Sequence, residues 1–144
     1  MIVLGESYKN SPPILKKAKK ELANEIIHYG YADTFEQYAR LLWQADILPV
    51  TSRQDFFGGS VVEAIYCGCT PVLPKRLAYP EHLSEEVHGL YFYEKEEGFL
   101  KLLEEKISTF NLGIGFNGKK YVEKYDWEKL IEIYDRLFTV PFLI

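Results

Sequence analysis

No stretch of apolar residues approaches the roughly 20 needed to cross a bilayer, and no secretory leader is expected. A cytoplasmic protein with no membrane partner is the expectation. Cysteine is scarce: Cys67 and Cys69, one residue apart, are the two in the chain. That spacing does not suit an ordinary structural disulfide, and two thiolates alone do not make a zinc site. His28, His82 and His88 stand at no ligand spacing from them, so buried, reduced thiols are expected. Positive charge is also short. The formal net charge is −4, and the one basic cluster, Lys16, Lys17, Lys19 and Lys20, fits a solvated helix face. Charge therefore gives no sign of a grip on a nucleic-acid backbone. Repeats, low-complexity tracts and linkers are missing too, which leaves one domain over residues 1–144.

What is present is an alternation of short apolar runs and amphipathic stretches. Apolar runs at 1–4, 25–29, 45–50, 70–73 and 89–93 read as strands. Helical spacing covers 14–24, 35–42, 60–66, the stretch through Leu100, Leu103 and Ile107, and finally 119–124 and 127–138. Asp33 or Thr34 can cap the second helix. Trp43 and Trp127 are expected in the core or between helices, and Phe138, Phe142 and Leu143 at a surface open to self-association. Strands without polar alternation, joined by helices, predict an α/β fold, a Rossmann-like parallel sheet with helices on both faces. In such a sheet ligands bind beyond the carboxyl ends of the strands. Two of those ends carry polar and glycine residues, Gly5-Glu6 and the stretch 52–59.

The second is the richer. Gly58 and Gly59 precede a helix, where unpaired backbone N–H groups and the positive end of the dipole attract an anion such as a diphosphate. Asp55 lies before the glycines, and Glu63 eight residues after Asp55. Ser60 and Glu63, three apart, share one helix face. A carboxylate repels phosphate but accepts hydrogen bonds from vicinal hydroxyls, which a ribose or hexose supplies. On spacing alone, Glu63 is read equally well as a carboxylate stabilised by the helix dipole.

Asp55 through Glu63-Ala64, followed by Gly68 and Pro71-Val72, resembles the acidic-x7-Glu motif in the C-terminal, donor-binding domain of retaining GT-B glycosyltransferases. Phe56-Phe57-Gly58, Glu63-Ala64-Ile65-Tyr66-Cys67-Gly68-Cys69 and Pro74-Lys75-Arg76-Leu77-Ala78-Tyr79-Pro80-Glu81 narrow the match. With Gly5-Glu6 and His28-Tyr29-Gly30-Tyr31, they are similar to blocks of the tRNA-queuosine α-mannosyltransferase-like family, over about residues 1–93. The resemblance implies that Glu63 holds the ribose of a nucleoside diphosphate sugar, GDP-mannose. Asp55, the catalytic candidate, would meet the transferred sugar and diphosphate together with backbone groups of Phe57, Gly58 and Gly59. Ser60 would stand near phosphate, and Gly5 and Glu6 would approach the nucleotide. No cofactor or metal is required by the motif. The block at 79–81 has no assigned role, but a loop at the sheet edge could border the site.

The chain departs from the family's pattern in two places. Gln54-Asp55 stands where His-Glu is usual, which shortens the reach of the carboxylate by about 1 Å; misplacement on that scale can cost ~10²-fold in rate. The N-terminal acceptor domain, which would carry tRNA contacts, and the first strand of the donor domain with its basic residues are not recognisable. The expectation is thus the donor-binding portion of a larger transferase. Two alternatives stay open: a non-catalytic nucleotide- or partner-binding module built on the same fold, and a transferase using a UDP-sugar.

Overall fold

The computed structural model describes residues 1–5 and 12–139. All of its strands pair in parallel and are flanked by helices, as the apolar strand runs predict. The chain divides into two units, Met1–Ala45 and Asp46–Ile144, each with its own sheet.

In the first unit, β1 (Ile2–Leu4) pairs with β2 (His28–Gly30), Ile2 standing opposite His28. Helix α1 (Pro13–Glu21) connects them and starts on proline, whose fixed φ suits the first helical position. The strand expected at 25–29 begins later, at His28. The exit turn of α1 consumes the intervening residues: Leu22 N–H bonds the Ala18 carbonyl, and the Glu25 and Ile26 N–H groups both return to the carbonyl of Leu22. Helix α2 (Phe35–Trp43) is capped by its own sequence. The Thr34 hydroxyl accepts the Gln37 N–H at 3.2 Å, and Gln37 Oε1 accepts the Asp33 N–H at 2.7 Å, a variant of the reciprocal capping box.

In the second unit, β3 (Ile47–Pro49), β4 (Thr70–Pro74) and β5 (Phe92–Tyr93) form a sheet with β4 at its centre. Helix α3 (Gly59–Tyr66) links β3 to β4. After β4 come α4 (His88–Tyr91), α5 (Glu96–Asn111), α6 (Lys119–Val122) and α7 (Trp127–Thr139). The pleat sorts the core into two faces. Leu73 and its partner Phe92 pack with Val61 and Ile65 of α3 and Val122 of α6. Val72 and Tyr93 turn the other way, onto Leu102 of α5. Each such large apolar side chain, fully buried, contributes about 1.5–3 kcal/mol.

The strand expected at 89–93 is a correction. Only Phe92–Tyr93 is extended, and His88–Tyr91 is a helical turn. There the His88 ring reaches the carbonyls of Pro80 (3.0 Å) and Leu83 (3.2 Å), and a short apolar run carries no period that separates the two states. The tryptophans are corrected too: Trp43 is 68% and Trp127 61% exposed. Leu41 and Leu42 take the buried side of α2, which turns Trp43 outward. Trp127 sits on α7, where no described residue is buried, and meets Tyr134 of the same helix at 5.6 Å. Of the three apolar residues expected near the end, Phe138 is exposed on α7, while Phe142 and Leu143 lie outside the described residues. Among the described residues, no helix is long and apolar enough to cross a membrane.

Candidate functional site

The carboxyl end of β3 runs into Thr51 and Ser52, whose carbonyls are gathered by one side chain. Arg76, just past β4, donates from Nη2 to Ser52 O at 2.8 Å and to Thr51 O at 3.3 Å. This charge-assisted clasp fixes the departure direction of the loop that follows.

That loop turns sharply at 55–58. Gly58 adopts φ 82°, a left-handed conformation that costs a residue with a side chain about 1–2 kcal/mol. Its N–H donates to Asp55 Oδ1 at 2.7 Å, and Asp55 Oδ2 accepts the Tyr79 hydroxyl at 3.0 Å. Both oxygens of the catalytic candidate are thus engaged in shaping the loop, although a carboxylate has further lone-pair positions. Burial first, then the hydrogen bond and charge of Asp55, hold the Tyr79 phenol above its usual 10.0, so it remains a donor.

The Phe57 carbonyl is taken as well. It lies 2.6 Å from His82 Nε2, and a carbonyl can only accept, so Nε2 carries the proton. His82 Nδ1 lies 3.3 Å from the Tyr125 hydroxyl, which also reaches the Glu81 carbonyl at 3.4 Å. The Phe57 ring packs edge-on against His82 and Tyr125, each at 5.1 Å between centroids. Phe56, by contrast, is fully exposed at the tip of the loop.

Helix α3 begins immediately afterwards, with no side-chain cap. The Val61 and Val62 N–H groups bond the Gly58 carbonyl at 2.9 and 3.0 Å. Among the described residues, no backbone acceptor meets the N–H groups of Gly59 and Ser60, and both residues are exposed. Two donors at the positive end of the helix dipole are therefore open to solvent. Glu63 is exposed as well, four residues after Gly59 and three after Ser60, hence on the same helix face. The arrangement offers anion-binding donors with a hydroxyl-accepting carboxylate one turn away.

The structure thus brings Asp55, Phe57, Gly58, Gly59, Ser60 and Glu63 together in one unit. Gly5 belongs to the other unit, where its N–H bonds Gly30 O at 3.1 Å, and Glu6 lies outside the described residues. Spacing did not reveal Arg76, His82 or Tyr125; of these, only Arg76 lay within a motif block. Tyr79 stood in a block without a role, and its bond to Asp55 now supplies one. Cys69 is buried and Cys67 half-buried: burial pushes the Cys69 thiol up to about 11, and burial followed by the charge of Glu63 raises Cys67, which disfavours the thiolate at both.

The sequence model of the family described as glycosyl transferases group 1 matches residues 1–112. A tRNA-queuosine alpha-mannosyltransferase from Drosophila melanogaster is 30% identical over 133 residues, which covers 85% of this chain. The chain spans about a third of that relative, 35% of its length.

Proposed function

The chain belongs to the glycosyl transferases group 1 family, and on that premise we propose that it binds the donor of a retaining hexosyltransferase, GDP-mannose. In the reaction we infer, the bond between the sugar's anomeric carbon and the diphosphate oxygen breaks as a bond to an acceptor hydroxyl oxygen forms. Configuration is retained, GDP leaves, and the acceptor's proton is released. The acceptor we assign is queuosine in tRNA, by analogy with the mannosyltransferase relative. Contacts to that tRNA are assigned to an N-terminal acceptor domain outside residues 1–144, in keeping with the net charge of −4. A cytoplasmic location goes with that acceptor.

The observation that carries this reading is the open start of α3. The Gly59 and Ser60 N–H groups meet no backbone acceptor among the described residues, which supports a role for them in receiving the charge of a departing diphosphate, since fixed donors aimed at developing charge are an effective catalytic device. Glu63, on the same face, is placed to accept the two ribose hydroxyls. Asp55, held between Gly58 and Tyr79, keeps acceptor capacity for a hydroxyl of the transferred sugar.

Calorimetric titration with GDP, GDP-mannose, UDP and UDP-glucose tests the reading. We expect the guanosine ligands to bind, and Glu63→Ala to weaken them about tenfold through loss of charged hydrogen bonds to the ribose. A uridine preference would change the donor and keep the site. Absence of binding to all four would leave the chain as a module with another task.

A further inference from the structure

The loop before α3 does not hold its own shape. Within 55–58 it has one bond, from Gly58 N–H to the Asp55 carboxylate. Its other hydrogen bonds come from a single 3-10 turn, Tyr79–His82, which follows β4, while the Phe57 ring also packs on Tyr125. In such a turn, side chains three apart eclipse one another. Tyr79 and His82 therefore project together, both fully buried, one onto Asp55 Oδ2 and the other onto the Phe57 carbonyl. Their rings also wall the space beside Gly58, where an added Cβ would come 3.0 Å from Tyr79 Cε1 and 3.2 Å from His82 Nε2.

The consequence lies at the helix start. A carboxylate three residues ahead of the N-cap Gly58 is drawn toward the helix start, because its charge favours the positive end of the dipole. Left to itself, Asp55 would swing onto Gly59 and Ser60 and occupy the place of an anionic ligand. Tyr79 prevents this by holding Oδ2, while Gly58 holds Oδ1.

We propose that Tyr79 and His82 are positioning residues of the donor site, which keep the start of α3 open for the diphosphate by holding Asp55 and the Phe57 carbonyl away from it. The proposal rests on the donor-binding reading above and adds a cause for the lack of a side-chain cap at the start of α3.

Tyr79→Phe removes one oxygen and keeps the ring. The test is GDP and UDP titration of the chain and this variant, together with the amide NMR signals of Gly58, Gly59 and Ser60. The variant is expected to bind about tenfold more weakly, the worth of a charged hydrogen bond that no longer restrains a competing carboxylate. Its Gly59 and Ser60 amide protons should move downfield and exchange more slowly, as they acquire Asp55 as acceptor. A merely structural tyrosine would alter melting temperature without protecting those amides. Unchanged affinity in a variant of a chain that binds would overturn the positioning role alone. No binding of either nucleotide by the parent chain would overturn the donor reading and this proposal with it. Should Tyr79→Phe fold poorly, His82→Gln and His82→Leu carry the test. Gln retains an N–H for the Phe57 carbonyl and should bind more tightly than Leu, and equal affinities would overturn the proposal.

Discussion

Helices α2 and α3 are nearly the same length, yet they begin in opposite ways. Helix α2 is closed by residues beside it in sequence, Thr34 and Gln37, which pair with N–H groups within four residues of themselves. Helix α3 has no side-chain cap, starts from a left-handed glycine, and leaves two N–H groups exposed. The loop ahead of it is held by residues 24 and 25 positions downstream. A helix start satisfied locally stabilises the fold and is finished. One held open by distant side chains forgoes a cap worth about 1 kcal/mol and keeps donors available for a ligand.

The sharpest way to break the contrast is Gly58→Ala. The new methyl meets a left-handed backbone and the rings of Tyr79 and His82 together. Adding about 1–2 kcal/mol for the conformation to the cost of crowding a packed site, about 1–3 kcal/mol, we expect a loss of about 2–5 kcal/mol. The urea midpoint, at unchanged slope, measures it. A loss under about 0.5 kcal/mol, the range of an ordinary surface substitution, would mean that the turn is not braced as described.

Thr34→Ala is the matching change at α2 and should be milder. Loss of the hydroxyl leaves the Gln37 N–H to water and costs about 1 kcal/mol. GDP affinity should stay the same, because the cap belongs to no part of the proposed donor site. A change in affinity would show that the two helix starts are coupled and that the contrast is one of degree.

This contrast also explains what the sequence made legible. Thr34 as a cap, the parallel strands, the glycines before α3, and Glu63 on the helix face all follow from patterns within a few residues. The bonds of Tyr79 to Asp55 and of His82 to Phe57 depend on where β4 delivers the chain, and no local period encodes that. Arg76 was hidden for a related reason. Its partners are backbone carbonyls, which have no residue type to recognise. Trp43 misled because size and apolarity favour burial on average, while α2 had already spent its inner face on Leu41 and Leu42.

The smallest expected effect is an acid sensitivity confined to α3. Neutral His82 serves the Phe57 carbonyl through its Nε2–H and turns Nδ1 to the Tyr125 hydroxyl, 3.3 Å away. Burial lowers its pKa below the usual 6.5; the Phe57 carbonyl opposes the shift, Lys124 adds to it, and Glu81 and Asp55 oppose it. As pH falls through 6.5 the unfolded chain therefore takes up this proton before the folded one does. The stability owed to neutral His82 is complete above 6.5 and is lost between 6.5 and the depressed native value, at no more than ~1.4 kcal/mol per pH unit. At α2 the capping groups are a hydroxyl, a side-chain amide and two backbone N–H groups, none of which ionises in that interval. Hydrogen exchange, corrected for its intrinsic pH dependence, should show Gly58 losing protection as pH falls below 6.5 while Gln37 keeps it, and His82→Gln should abolish the difference. Equal losses at both amides would mean that acid acts on the chain as a whole, so that His82 is no private support of the α3 start.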